Sequence, residues 1–219
     1  MSLLPDDTRL ADISIPGTHN SMSLYGGHLP QTQTLSIRSQ LDMGIRYLDA
    51  RFKYQNGELH AYHGDFPQYQ TFDELVNTVY QFLTAYPSET VLIRMQNEAG
   101  ASTDKDAFYR RFNEIQRKYG DKNIRYADEN TPIRDLRGKF VFIRDFYTAG
   151  DTIGIDRSFF KIQDEYHMTT NWDLYSKWEK IKKHLSDIQR INYLSMLPFG
   201  LIWLLPLLCG ERQIQPRLS

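Results

Sequence analysis

The chain has 219 residues, 41% of them hydrophobic and 24% charged, which is enough for one sizeable core and gives no sign of a second. A net charge of −1 excludes the broad basic field of nucleic-acid binding or strong adhesion to anionic membranes, so the expected partner is small or neutral overall, with no nucleic acid. The single cysteine, Cys209, excludes an internal disulfide framework, and Met1 to Asp7 has neither the basic leader nor the apolar core of a secretory signal, leaving a cytoplasmic protein or a secreted mature form.

Strand-like and helix-like segments alternate along the chain. A short β-type run, Asp12 to Ile15, stops at Pro16-Gly17, since proline cannot continue a ladder and glycine permits a sharp exit. Thr18, His19, Asn20 and Ser21 then stand just past a buried strand, where sites are built in parallel α/β architectures. Leu24 to Thr34 reads as a polar loop, and Ser36 to Met43 as a short helix closed by Gly44. In the next strand, Arg46 to Lys53, Leu48, Ala50 and Phe52 share one face and Asp49 and Arg51 the other. Gly57 turns the chain into Leu59 to Gly64, a strand that ends in His63.

Thr71-Phe72-Asp73-Glu74 fits a capping box, and Leu75, Val76, Val79, Phe82 and Leu83 follow at helical spacing, so a helix is expected over Phe72 to Ala85. Thr90 to Met95 is a compact apolar strand, and a second long helix runs from Thr103 to about Tyr119. Lys139 to Asp145 reads as a fifth strand, Phe160 to Tyr166 as a sixth and Arg190 to Ser195 as a seventh. Between the last two, a helix from about Asp173 to Asp187 should bury Trp178, Ile181, Leu185 and Ile188 and turn its lysines to water.

This order, with polar groups at strand ends and no glycine-rich nucleotide fingerprint after the first strand, favours an α/β fold of the (β/α) TIM-barrel type over an open doubly wound sheet. The eighth strand is not recognisable. Leu197 to Leu208 is apolar but broken by Pro198, Gly200 and Pro206, too short to span a bilayer and too proline-rich for a central strand.

Two histidines at strand ends can serve as base and acid on opposite sides of a phosphorus atom, and an arginine can hold phosphoryl oxygens by paired hydrogen bonds. Ile15-Pro-Gly-Thr-His-Asn-Ser21, Gln31 to Thr34, Met43 to Arg51, Tyr62-His-Gly64, Pro87-Ser-Glu-Thr90 and Ile162 to Tyr166 occur in one order over about residues 10 to 195. In that order they resemble the bacterial-type phosphatidylinositol-specific phospholipase C family, the X-domain barrel.

The resemblance implies a diester lyase acting on phosphatidylinositol or a glycosyl-phosphatidylinositol headgroup, monomeric and touching a membrane surface transiently. His19 would be the general base on the inositol 2-hydroxyl and His63 the general acid on the leaving oxygen. Arg51 would hold the phosphoryl charge, and Asp49 would orient the arginine or an imidazole. Glu98, Asp164 and Tyr166 would contact the inositol ring.

Arg51 stands where metal-free members carry a positive charge, so no cofactor and no metal are expected; Asn20, a calcium ligand in other members, keeps calcium as a lesser alternative. Metal-free members usually carry aspartate there, and Asn20 is expected to keep a hydrogen bond to His63 without the charge. The family's eighth strand brings an aspartate to the first histidine, and nothing after Ser195 matches it. By this resemblance residues 1–195 are expected to form the X-domain-like barrel and residues 196–219 a divergent apolar tail, as a truncated or frame-shifted gene would give. Two further readings stay open: an impaired headgroup-binding module, and a metal-dependent glycerophosphodiesterase, for which a carboxylate would be expected in place of Arg51.

Overall fold

The structure, a computed structural model, describes residues 1–27, 30–99, 104–162 and 174–191. Asp164, Tyr166, most of the expected sixth strand and the tail at 196–219 lie outside these residues.

Eight strands form one mixed sheet: β1 Gly17–Thr18, β2 Tyr47–Gln55, β3 Glu58–His63, β4 Phe66–Thr71, β5 Thr90–Asn97, β6 Asn123–Ile124, β7 Lys139–Asp145 and β8 Ile155–Asp156. The order is β4-β3-β2-β5-β7-β6, with β1 paired to β2 and β8 to β7. β2, β5 and β7 are parallel neighbours, whereas β3 and β4 run antiparallel as hairpins. The turn from β2 to β3 is Asn56-Gly57, both at positive φ (51° and 84°), the backbone that a tight two-residue hairpin needs. Helices α1 Ile37–Asp42, α2 Phe72–Ala85, α3 Lys105–Lys118, α4 Ile133–Leu136 and α5 Leu174–Ile191 complete the described chain. The sheet is open among the described residues, an incomplete barrel of the expected TIM type.

Both faces of the parallel strands are buried, and each carries its own chemistry. Leu48, Ala50 and Phe52 of β2, Val91, Ile93 and Met95 of β5, and Phe140 and Phe142 of β7 pack against α2 and α3. Phe72 lies at the centre of that layer, with ring centroids 5.4 Å from Phe52 and 5.6 Å from both Phe112 and Phe142. Truncating so buried a ring to alanine typically costs about 3–5 kcal/mol. The reciprocal capping box between Thr71 and Glu74 sets where α2 starts.

The opposite face is the barrel interior, and the register reads it in layers. Tyr47, Leu92 and Val141 lie side by side at one level, then Asp49, Arg94 and Ile143, then Arg51, Gln96 and Asp145. The interior changes from apolar to charged toward the carboxyl ends of the strands, which is where such barrels place their chemistry.

Several sequence expectations are corrected. Ile13 to Pro16 makes no ladder. The pairing starts at Gly17, where the chain comes so close to β2 that a Cβ would lie 3.0 Å from that of Tyr47. Helix α3 starts at Lys105 under an Asp104 cap. Phe160 to Ile162 is not strand, and Arg190 and Ile191 continue α5 instead of opening a seventh strand. Along α5, Ile181 is buried as expected, but Trp178 is 47% exposed.

Candidate active site

The turn after β1 carries the first half of the site, and Ser21 bolts it to β2. The Ser21 N–H donates to the Asp49 carbonyl and the Asp49 N–H donates to Ser21 Oγ, both at 2.8 Å. Thr18 Oγ1, Ser21 Oγ and Gln40 form a buried network beneath, in which the Gln40 amide donates to the carbonyls of Ser21 and Leu35. The His19 carbonyl accepts from Gln33 Nε2 at 2.8 Å, and the Asn20 carbonyl from Thr32 Oγ1 at 3.1 Å. Asn20 adopts φ 43°, a left-handed conformation that asparagine tolerates better than most residues. Its backbone kink aims the two side chains on either side of it.

Asp49 is the hub. Its Oδ2 accepts from the Asn20 N–H at 3.0 Å and from Arg51 Nη2 at 3.0 Å, and lies 3.6 Å from His19 Nδ1. Its Oδ1 faces Arg94 Nη1 at 3.3 Å. Burial alone would push this carboxyl up, but the Arg51 and Arg94 guanidiniums outweigh it and hold the group below the usual carboxylate range. Asp49 is therefore an anion that orients cations and an imidazole, and is ill suited to delivering a proton.

The two histidines are set differently. His63, at the end of β3, has Nδ1 2.6 Å from the Pro30 carbonyl and 3.2 Å from Ser23 Oγ. A carbonyl can only accept, so Nδ1 carries the proton and Nε2 is left to exchange one. On His19, Nδ1 faces the Asp49 carboxylate at 3.6 Å, and Asn20 Nδ2 lies 3.2 Å from Nε2. The amide donates there to a lone pair, which marks Nε2 as the basic nitrogen.

This differs from the sequence expectation for Asn20, whose side chain contacts His19 and not His63. Its Oδ1 is buried without a hydrogen bond. Glu98 fastens the other side of the site. Oε1 accepts from the Gly64 N–H at 2.8 Å, next to His63, and Oε2 lies 3.8 Å from Arg51 Nη1.

The structure thus brings His19, Asn20, Asp49 and Arg51 together, and Glu98 links Arg51 to the backbone beside His63; Asp164 and Tyr166 fall outside the described residues. It adds Arg94, Ser23 and the Pro30 carbonyl. Arg94 had one signal in the sequence, a lone charge within the apolar run Thr90 to Met95. Among the described residues, no three His, Cys, Asp or Glu side chains gather as a metal set.

A barrel-type α/β sheet with two histidines and an arginine near its carboxyl rim is an arrangement suited to acid–base chemistry on a phosphodiester. A family model for PI-PLC X matches residues 7–124, and the chain belongs to that family, the X domain of phosphatidylinositol-specific phospholipase C.

It is 33% identical to a 1-phosphatidylinositol phosphodiesterase of Listeria monocytogenes over 184 residues, 76% of this chain and 57% of that protein. A protein of the same name from Staphylococcus aureus is 26% identical, over 91% of this chain and 75% of its own. The solved structure of the phosphatidylinositol-specific phospholipase C from Listeria monocytogenes superposes with a TM-score of 0.71 at 28% identity, covering 92% of this chain and 76% of that one. The chain spans 57% of the length of the Listeria relative and three quarters of the Staphylococcus one.

Proposed function

We propose that the chain cleaves phosphatidylinositol, or the same headgroup in a glycosyl-phosphatidylinositol, to diacylglycerol and inositol 1,2-cyclic phosphate. His19 Nε2 takes the proton of the inositol 2-hydroxyl, which replaces the Asn20 amide as its hydrogen-bond partner. The hydroxyl oxygen bonds to phosphorus, the bond from phosphorus to the glycerol oxygen breaks, and His63 Nε2–H gives its proton to that oxygen. Arg51, steadied by Asp49 and Glu98, faces the phosphoryl oxygens, and a preorganised, largely buried cation contributes a few kcal/mol to such a step. With the roles reversed, His63 draws a proton from water and the cyclic ester opens. Inositol-ring contacts from Asp164 and Tyr166 belong to the same reading.

The observation that carries the proposal is His63, whose Nδ1–H is held by the Pro30 carbonyl so that Nε2 is left for proton transfer, together with His19, whose Nδ1 faces the Asp49 carboxylate at 3.6 Å. The guanidinium of Arg51 supplies the positive charge that a metal would otherwise bring, so the reaction is read as metal-free. The names of the relatives supply the substrate class.

Release of inositol phosphates from phosphatidylinositol micelles tests it. Turnover that disappears in His19→Ala and His63→Ala supports the lyase. Headgroup binding by the native protein with no turnover would replace the lyase with a binding module.

A further inference from the structure

The interior layer just below the site holds a charge arrangement that the proposed chemistry leaves unused. Arg94 of β5 sits in register beside Asp49 of β2 and is buried. Its Nε and Nη2 both donate to Asp145 Oδ2 of β7, at 2.8 and 2.5 Å, while Nη1 points back to Asp49 Oδ1 at 3.3 Å. Arg157 approaches the same Asp145 at 3.5 Å. One guanidinium thus spans three adjacent strands, and the two oxygens of Asp49 are divided between tasks. Oδ1 is taken from below, and Oδ2 is turned to the Asn20 N–H, Arg51 and His19.

We propose that Arg94 is a positioning residue for the lyase reaction: by holding Oδ1 against the Asp145 anchor it fixes the rotation of the Asp49 carboxylate, and through it the aim of Arg51 and His19. The inference rests on the proposed function for its kinetic consequence, and on geometry alone for its structural one. The fork matters as much as the charge. A lysine is a point cation on a flexible stem and cannot bridge two carboxylates on different strands with the planar geometry of arginine.

The competing explanation is that Arg94 merely neutralises two acids in the interior. Arg94→Lys separates the two, because it keeps the charge and loses the fork. Three readouts are made on Arg94→Lys, Arg94→Gln and the native chain: the thermal midpoint, kcat and KM on soluble inositol 1,2-cyclic phosphate, and hydrogen exchange of the Arg51 Nε–H by NMR. For Arg94→Lys the expected result is a near-native midpoint, kcat lower by about 10- to 100-fold with KM within about twofold, and faster exchange at Arg51. Arg94→Gln should lose both stability and kcat; should it fail to fold, the lysine variant decides.

Native kcat together with native protection of Arg51 in Arg94→Lys would overturn the proposal. If the native protein turns over no substrate, the lyase reading falls, and the Arg51 exchange measurement still decides whether Arg94 positions the carboxylate.

Discussion

His63 Nδ1 lies 2.6 Å from the carbonyl oxygen of Pro30, a main-chain acceptor that cannot titrate. Proton-dependent partners such as carboxylates let a histidine change tautomer when they are protonated; a carbonyl does not. The protonated nitrogen of His63 is thus set by backbone geometry, which on the proposed mechanism keeps Nε2 available through both steps.

The acid role of His63 gives a first expectation. His63→Ala should lower turnover of phosphatidylinositol by about 10³-fold, within the range typical of a lost general acid. With a p-nitrophenyl leaving group, which departs without a proton, the loss should shrink to about tenfold or less. Comparing the two substrates in steady-state assays checks this; equal losses on both would remove the acid role.

Asn20 carries backbone strain as well as a side-chain contact. Asn20→Ala and Asn20→Gly both delete the amide beside His19, but only alanine must hold a Cβ at φ 43°. The alanine variant should be less stable than the glycine variant by about 1 kcal/mol, roughly 2–4 °C in melting midpoint, with the two turnover rates within about threefold. Coincident melts would show that this backbone stores no strain.

Asp49 links the site to acid stability. Its folded-state pKa is depressed by Arg51 and Arg94 despite its burial, so the stabilisation is complete above the unfolded value of about 3.9 and is lost as pH falls through the lower folded value. Asp49→Asn should cost about 3 kcal/mol at pH 7, where it leaves two arginines short of a partner. It should also flatten the stability curve below about pH 4. Urea titrations across pH 2.5–7 measure both effects, and parallel curves for variant and native would exclude Asp49 as the depressed group.

The calcium alternative has its own test. Turnover after exhaustive chelation should stay within about twofold of untreated protein, and added calcium should not raise it, because on the proposed mechanism Arg51 supplies the cation. A strict calcium requirement would sink the role given to Arg51.

Much of this was legible in the sequence because local chemistry and tertiary role agree. The helix Phe72–Ala85 and the strand Lys139–Asp145 stand where their periodicity puts them, since capping box, apolar spacing and burial all point one way. β4 was invisible: Phe66-Pro-Gln-Tyr-Gln-Thr71 has no apolar alternation and contains a proline, which is admissible only because β4 is an edge strand.

β6 and β8, of two residues each, are held by pairing to β7 and carry no pattern of their own. The run at Ile13 to Ile15 reads as strand, but Ile13 and Ile15 are buried against the barrel interior without pairing. In the site, the alternation of Asp49 and Arg51 and the strand-end histidines were readable. The partner of Asn20 was not, because it depends on a left-handed kink that no side-chain pattern announces. The Pro30 contact was equally hidden, being made by main chain.

Glu98 has one oxygen on the backbone beside His63 and the other facing the guanidinium of Arg51. The hairpin that carries His63 and the guanidinium of Arg51 are therefore moored to a single side chain and cannot be adjusted separately. Shortening Glu98 to aspartate would pull on both moorings at once, so on the proposed mechanism drift at this position reaches the acid and the phosphoryl clamp together.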